Sequence, residues 1–186
     1  MKRILQKDKD KVILRGTTKE VPVDKITTPK IKKIIKEMSL ALGSQDDGVA
    51  LAAPQIGYPL SIFIVSGRIF DKDFLEGSRF GESLEEEIKK KIEKKAFPDI
   101  IFINPKISKL SRKKEWLLEG CLSVRWLYGK VERSQKATLT AYDEKGKKFT
   151  RGASGLLAQI FQHEIDHLKV VLFIDHAKDV KEELPS

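Results

Sequence analysis

A short pattern near the end of the chain has the residue types of a hydrolytic metal site. In QHEIDHL, residues 162–168, His163 and His167 are four positions apart and Glu164 follows the first histidine. On a helix, side chains at positions i and i+4 share one face at about 5 to 6 Å, so both imidazoles can bind one ion. The glutamate can then reach a water molecule on that ion. This HExxH arrangement therefore predicts a metal site with a general base.

The third ligand decides which kind of metal site this is. A chance pair of helical histidines is the alternative reading, but two of only three histidines fall in register around a glutamate. The metzincin pattern requires a glycine and a histidine where this chain has Val170 and Phe173. A thermolysin-like site needs a glutamate from a following helix, whereas Glu182 and Glu183 lie in a charged tail. Neither peptidase pattern fits.

Cys121 is the remaining candidate for the third ligand, and it is the only cysteine. Most free cysteines behave as small buried apolar residues. Cys121, however, stands in EGCLS, among Glu119, Gly120 and Ser123. One thiolate and two imidazoles leave a fourth position open for water, as a catalytic metal site requires.

The segments around these residues predict helices and strands in one fold. SGLLAQIFQHEIDHLK predicts a helix that is apolar on nearly every face, with Ser154 as its N-cap. TTPKIKKIIKEMSLALG predicts a second helix, with Pro29 in its first turn. Strands are predicted in PLSIFIVSG, in IIFINPKI up to its Asn-Pro, and on both sides of a turn at 144–146. We therefore expect an α+β fold, with antiparallel or mixed β-sheets around a central buried helix that carries HExxH.

Length and composition predict a single catalytic domain over residues 1–186 with a charged surface insert at about 67–98. Within the insert, Ser83 and Glu86 form a capping box for a surface helix. A single cysteine excludes an internal disulfide framework and favours a cytoplasmic location. No apolar run is long enough for a membrane span or a signal peptide, so we expect no membrane association.

The net charge of +9 permits attraction to polyanions such as the ribosome surface. A solvated basic surface explains the same charge, because the lysines are scattered along the chain. No aromatic RNA-reading motif accompanies them, so we expect no sequence-specific binding of nucleic acid.

Three motifs in this order, GVALAAPQIG, EGCLS and QHEIDHL, together resemble those of peptide deformylase. The resemblance runs from the apolar N-terminal helix through HLKVVLFID. It implies a hydrolase that removes the N-formyl group from the initiator methionine of nascent polypeptides and releases formate. It also implies one divalent metal ion, natively Fe²⁺, for which Zn²⁺, Ni²⁺ or Co²⁺ can substitute. N-formylmethionyl peptides would be the substrate.

The resemblance also implies a role for individual residues. Glu164 would be the general base, and the Gln55 side-chain amide and Leu122 backbone N–H would donate hydrogen bonds to the oxyanion. The implied metal ligands are Cys121, His163 and His167. The residues implied in substrate binding are Gly48, Val49, Ala50, Gly120 and Leu156, and for Leu156 plain core packing is the alternative.

Three positions differ from the family pattern, and an expected ion pair supports the site from its surroundings. Ala50 stands where glycine is common, and Arg125 replaces a frequent proline. Val170 replaces the glycine expected near the end of the helix, and we expect that helix end to relax differently because β-branched residues disfavour the left-handed region. Glu119 and Arg133 are expected to pair and to hold the cysteine loop. His176 is expected either at the surface or next to the ligands, but not as a ligand itself.

Two other functions remain open from the sequence. A metal amidase could use the same residues on a different N-acyl group, admitted by the altered residues at Ala50 and Arg125. A non-catalytic ribosome-associated relative could keep the fold alone. The complete set of Gln55, Cys121 and the HExxH residues argues against the second alternative, since binding alone does not require them.

Overall fold

The computed structural model describes residues 2–70 and 97–184, which form three α-helices and eight β-strands. The helices are α1 (Lys11–Leu14), α2 (Pro29–Gly43) and α3 (Gly155–Leu168). The strands are β1 (Ala50–Ala52), β2 (Ile62–Val65), β3 (Ile100–Leu110), β4 (Lys114–Gly120), β5 (Leu127–Ser134), β6 (Lys136–Tyr142), β7 (Lys148–Ser154) and β8 (Lys178–Glu182). Antiparallel sheets with few helices make this an α+β fold.

The strands form two antiparallel sheets. The larger sheet has the order β1-β2-β3-β6-β7, and the smaller has the order β4-β5-β8. In the described residues, parallel pairing is confined to an isolated bridge between Lys19 and Leu60. The sheets predicted as antiparallel or mixed are therefore antiparallel throughout their strands.

Strand β2 lies in the core because both of its faces are covered. Ile62 and Ile64 pack into an apolar cluster with α2, whereas Phe63 and Val65 pack into a second cluster with α3. Side chains alternate between the two faces of a strand, so a continuous apolar run is what a doubly covered strand requires. The ring of Phe63 stacks on Phe102 of β3 with centroids 4.6 Å apart.

Helix α2 has the bounds that its sequence pattern predicts. It begins at Pro29, whose missing N–H would have no helical partner at that position. Its apolar residues Ile31, Ile34, Met38 and Leu42 are buried against the larger sheet, and Ile35 is partly buried beside them.

Strand β3 does not end at the Asn-Pro dipeptide, so that predicted boundary is wrong. The strand continues through Asn104, with a register shift against β6 between Ile103 and Lys106. Asn104 has a φ of 51°, and its side chain accepts a hydrogen bond from the Val21 N–H and donates one to the Val21 carbonyl. This long-range contact stabilises the irregularity and lets pairing resume beyond it.

The hairpin between β6 and β7 confirms the turn predicted at 144–146. Gly146 has a φ of 78°, in the left-handed region that glycine adopts without steric cost. The Asp143 carboxylate accepts hydrogen bonds from the Lys145 and Lys147 N–H groups. The turn therefore fixes the register of β7, which leads directly into α3.

The two ends of α3 differ from the sequence predictions. Ser154 is the N-cap residue by position, but its side chain makes no capping hydrogen bond. At the other end, Val170 has a φ of 64°, so the helix ends in the left-handed conformation and the predicted relaxation is wrong. The Val170 N–H donates to the His167 carbonyl and the Val171 N–H to the Asp166 carbonyl, which is a Schellman motif built without glycine.

Most of the predicted insert at 67–98, with its Ser83–Glu86 capping box, lies outside the described residues. None of the helices within 2–70 and 97–184 combines the length and the apolar character that crossing a membrane requires.

Candidate metal centre

Helix α3 and the end of β4 bring three potential metal ligands together. His163 and His167 lie on one face of α3, and Cys121 directly follows β4. The Cys121 Sγ is 3.1 Å from His167 Nε2. One ligand atom from each of the three residues lies within 4.8 Å of the others, so the group could hold a single metal ion.

The backbone after β4 fixes the cysteine. The Ser123 N–H points at the Cys121 Sγ at 3.4 Å. A Cβ on Gly120 would lie 2.6 Å from the Tyr128 ring, so only glycine allows this close approach between β4 and β5. Gly120 therefore positions the thiol by permitting tight packing beside it.

A buried ion pair orients the first histidine. Glu119 accepts two hydrogen bonds from Arg133, at 2.7 and 2.9 Å, which confirms the predicted pair. Glu119 also contacts His163 Nδ1 at 3.0 Å and accepts a hydrogen bond from Gln159 Nε2 at 3.4 Å. Because Nδ1 is engaged there, Nε2 of His163 is free to face Cys121 and His167.

Arg133 also binds Asp166 of α3, with a distance of 2.6 Å to its carboxylate, a contact that the sequence analysis missed. Asp166 lies three positions after His163, so the two side chains are neighbours on the helix surface, which was the available signal. Gln162 adds a second link, because its side chain bonds both the N–H and the carbonyl of Ser134 on β5. These contacts tie α3 to the smaller sheet.

Charge in the site favours a cation between the ligands. Burial opposes ionisation of Cys121, but His167 and His163 lower the pKa of its thiol to about 5. Burial likewise opposes protonation of His163, yet Cys121 and Glu119 hold its pKa above the ordinary range. Burial raises the pKa of Glu119, while His163 and Arg133 outweigh it and bring it to about 2. A thiolate facing imidazoles suits a divalent ion in place of the imidazole proton.

Glu164 has a buried carboxylate oxygen without a protein partner. The residue is 4% exposed. Among the buried side-chain oxygen and nitrogen atoms of the described residues, its Oε2 is the one that has no hydrogen-bond partner. Burial raises the pKa of this carboxyl to about 7. A carboxyl group in this state can exchange a proton near neutral pH.

Gln55 follows β1 in a short turn and points its amide nitrogen at the thiol. Its Oε1 accepts a hydrogen bond from the Ala52 N–H, so the NH₂ group must face the other way. Its Nε2 donates to Ser123 Oγ at 3.1 Å and lies 3.5 Å from the Cys121 Sγ. Ser123 was not predicted as part of the site, and its position in EGCLS was the only signal.

A pocket opens beside these groups and contains most of the residues expected to bind substrate. Its lining includes Val49, Ala50, Gly120, Leu122 and Leu156. Leu156 is 40% exposed, which contradicts the alternative that it is a core residue.

Of the residues expected to bind substrate, Gly48 is not in the pocket, and Ala50, where glycine is common in the family, is in it. A Cβ on Gly48 would meet Leu42 and Gln45, so this glycine packs on α2 and is not in the pocket lining. Ala50 lies in β1 without a positive φ, so alanine causes no backbone strain there. His176 is exposed, as predicted.

The comparisons with known proteins agree with this geometry. The sequence profile of the polypeptide deformylase family matches residues 1–183. A peptide deformylase from Leptospira biflexa is 35% identical over 169 residues, which cover 91% of this chain and 84% of the relative. The crystal structure of a peptide deformylase from Legionella pneumophila has a TM-score of 0.74 at 30% identity, covering 96% of this chain and 87% of that one.

Plant relatives are longer. Peptide deformylase 1A of Arabidopsis thaliana, described as chloroplastic/mitochondrial, is 36% identical over 163 residues, or 88% of this chain and 57% of the plant protein. The tomato peptide deformylase 1A is 34% identical over the same length, and the match covers 55% of it. The chain thus spans little more than half of these two relatives, and most of the Leptospira and Legionella proteins. With the match over residues 1–183, the chain belongs to the polypeptide deformylase family.

Proposed function

We propose that this chain is a metal-dependent hydrolase that removes the N-formyl group from the initiator methionine of nascent polypeptides and releases formate. The convergence of Cys121, His163 and His167 beside the unpartnered carboxylate oxygen of Glu164 carries the proposal. Family membership supports the same reaction.

Cys121, His163 and His167 would hold one divalent metal ion and leave its coordination position on the pocket side open. A thiolate and two imidazoles suit Fe²⁺, which we propose as the native ion, and also Zn²⁺, Ni²⁺ or Co²⁺. When bound, such an ion supplies Lewis-acid chemistry and lowers the pKa of water.

The proposed catalytic roles follow from how each group is held. Glu164 accepts a proton from the attacking water and passes it to the departing amine, which its raised pKa allows. The oxyanion on the former formyl carbonyl receives hydrogen bonds from the Gln55 amide and the Leu122 backbone N–H. Gln55 is preorganised for this role because the Ala52 N–H fixes the orientation of its amide.

The substrate peptide would lie along β1. The backbone of Gly48, Val49 and Ala50 is proposed to pair with the extended peptide as an added strand. Leu156, exposed at the first turn of α3, would contact the methionine side chain, and Gly120 would leave room beside the thiol.

Helix α3 is proposed as the central helix of a single catalytic domain. It packs its apolar face on the larger sheet and binds the smaller sheet through Asp166 and Gln162. Every group in the proposed reaction is then positioned by α3 or by a strand that contacts it.

The proposed setting is the cytoplasm, with nascent chains presented at the ribosome. The net charge of +9 would favour the anionic ribosome surface. Binding to ribosomes should weaken as salt is raised, and cosedimentation at several salt concentrations would measure it. If ribosome binding does not change with salt concentration, electrostatic attraction is excluded as its basis.

The function is tested with anaerobically purified protein of measured metal content. Formate release from formyl-Met-Ala peptide is compared with release of acetate from acetyl-Met-Ala. We expect formate and no acetate. Metal-loaded protein that cleaves only the acetyl peptide would indicate the amidase with a different N-acyl group. Protein that cleaves neither would contradict the proposal.

A further inference from the structure

Arg125, which follows the cysteine motif, crosses to the segment that precedes β1. Its guanidinium donates to both carboxylate oxygens of Asp47, at 2.6 and 3.1 Å, and to Gln45 Oε1 at 2.8 Å. We call Arg125 and Asp47 the rim pair. Both residues belong to the lining of the pocket that contains Cys121. The rim pair therefore joins the two segments on either side of this pocket.

The surroundings hold the rim pair in place. The Arg125 Cζ lies 4.9 Å from the centre of the Trp126 ring, and Trp126 itself has a φ of 50°. On the other side, Arg68 donates to the carbonyls of Gln45 and Gly43 and fixes the segment that carries Asp47. A guanidinium bound to two partners and stacked on an aromatic ring has little freedom to leave.

The rim pair is also accessible to a ligand. The Asp47 side chain is 53% exposed and that of Arg125 is 21% exposed. The rest of the pocket lining includes apolar residues such as Leu156 and Val124 and groups of the metal centre. The opposite charges of the rim pair cancel each other where a bound peptide would leave the pocket.

We propose that the rim pair is a specificity determinant that sets how the chain responds to charge in the residues after formylmethionine. The inference rests on the proposed function. While the pair is intact, neither sign of charge is favoured. Loss of Asp47 leaves the Arg125 guanidinium to bind acidic side chains, and loss of Arg125 leaves the Asp47 carboxylate to bind basic ones.

The test compares three amidated peptides, formyl-Met-Glu-Glu, formyl-Met-Lys-Lys and formyl-Met-Gln-Gln. The readout is the ratio of kcat/KM for the acidic peptide to that for the basic peptide. This ratio is internal to each protein, so losses of folded or metal-loaded protein cancel. We expect Asp47→Asn to raise the ratio about three- to fivefold and Arg125→Gln to lower it about as much, the range typical of an exposed ion pair. The double variant should return to the original ratio.

Glu20→Gln and Lys106→Gln are the matched controls. They change the net charge equally, at an exposed pair 2.7 Å apart whose residues are not in the pocket lining. In both control variants, the ratio of kcat/KM for the acidic peptide to that for the basic peptide should equal the ratio of the unaltered protein. Ratios that do not move in the rim variants, or that move equally in the controls, would overturn the specificity role.

Peptide binding is measured in parallel by fluorescence anisotropy with labelled peptides on the Glu164→Gln background. A charge preference that follows the rim variants in binding, without formate release by any metal-loaded protein, would overturn the proposed function and keep the specificity role. Turnover of all peptides without any charge preference would overturn the specificity role and keep the proposed function.

Discussion

Among single residues, Arg133 supports the candidate site through ion pairs with two carboxylates. Its guanidinium bonds Glu119 and Asp166, and Glu119 in turn contacts His163. The Arg133 and Glu119 side chains are 7% and 3% exposed. Removing the cation would leave a buried carboxylate without its partner, which costs far more than loss of a surface pair.

We therefore expect Arg133→Ala to lower the free energy of unfolding by about 3 to 5 kcal/mol and to weaken metal binding about 10- to 100-fold. Urea unfolding and metal titration measure the two effects. Arg133→Lys keeps the charge but lacks the planar guanidinium, so its stability and metal affinity should lie between those of the unaltered protein and of Arg133→Ala. Arg112→Ala, at an exposed position, is the control. Unchanged metal affinity in Arg133→Ala would exclude the supporting role.

Asp175 gives a prediction for pH. The Arg15 guanidinium and the Leu172 N–H hold the pKa of this carboxyl below its usual range, against the opposing effect of burial. Its contribution to stability is therefore present above the pKa of the unfolded chain and is lost as pH falls through the lower folded value. Asp175→Asn should reduce the midpoint of urea unfolding near neutral pH, and the difference should shrink in acid. A difference that is constant with pH would contradict this.

The chemistry-bearing residues were the part of the site that the sequence predicted best. The residue types and their spacing were enough to predict that His163, Glu164 and His167 act together, since a helix places the two histidines on one face. The residues that orient them were harder to find. Asp166 and Ser123 contact partners from distant segments, and local sequence does not encode those contacts.

At the scale of elements, the end of α3 is the feature that opposes local preference most clearly. Val170 occupies the left-handed region, which a β-branched residue adopts only with strain. Arg15 donates to the Val170 carbonyl and Thr18 to the Leu168 carbonyl, so contacts from the N-terminal segment hold the conformation.

Val170→Gly should relieve this strain, and because the strain exceeds the added freedom of the unfolded chain, we expect the free energy of unfolding to rise by about 1 kcal/mol. Lys169→Gly is the matched control, because Lys169 has a φ of −99° and gains nothing from glycine. It should lower stability. Chemical denaturation of both variants checks the difference, and a Val170→Gly protein no more stable than Lys169→Gly would contradict the strain.

The two element boundaries that were mispredicted have the same physical origin. Local rules end a strand at Asn104 and relax a helix at Val170. In the structure, Asn104 bonds Val21 and Val170 bonds Arg15, both far away in sequence. Where the apolar residues of an element are simply buried, on both faces of β2 and on one face of α2, the apolar pattern alone was sufficient.

At the scale of the whole molecule, the site depends on the meeting of both sheets at α3. The larger sheet packs on its apolar face, while the smaller sheet supplies Glu119 and Arg133 and its strand β4 leads into Cys121. The α+β class could be predicted because the predicted strands bracket one buried helix. The order of the strands could not, because it depends on pairings between distant segments.

The central claim is that Glu164 is the base beside a three-ligand metal centre, and Glu164→Gln tests it most directly. Glutamine keeps the size of the side chain and cannot accept the proton. We expect the variant to retain the metal content of the unaltered protein and to lose at least about 100-fold in formate release from formyl-Met-Ala peptide. Formate release at the unaltered rate by metal-loaded Glu164→Gln would contradict the claim.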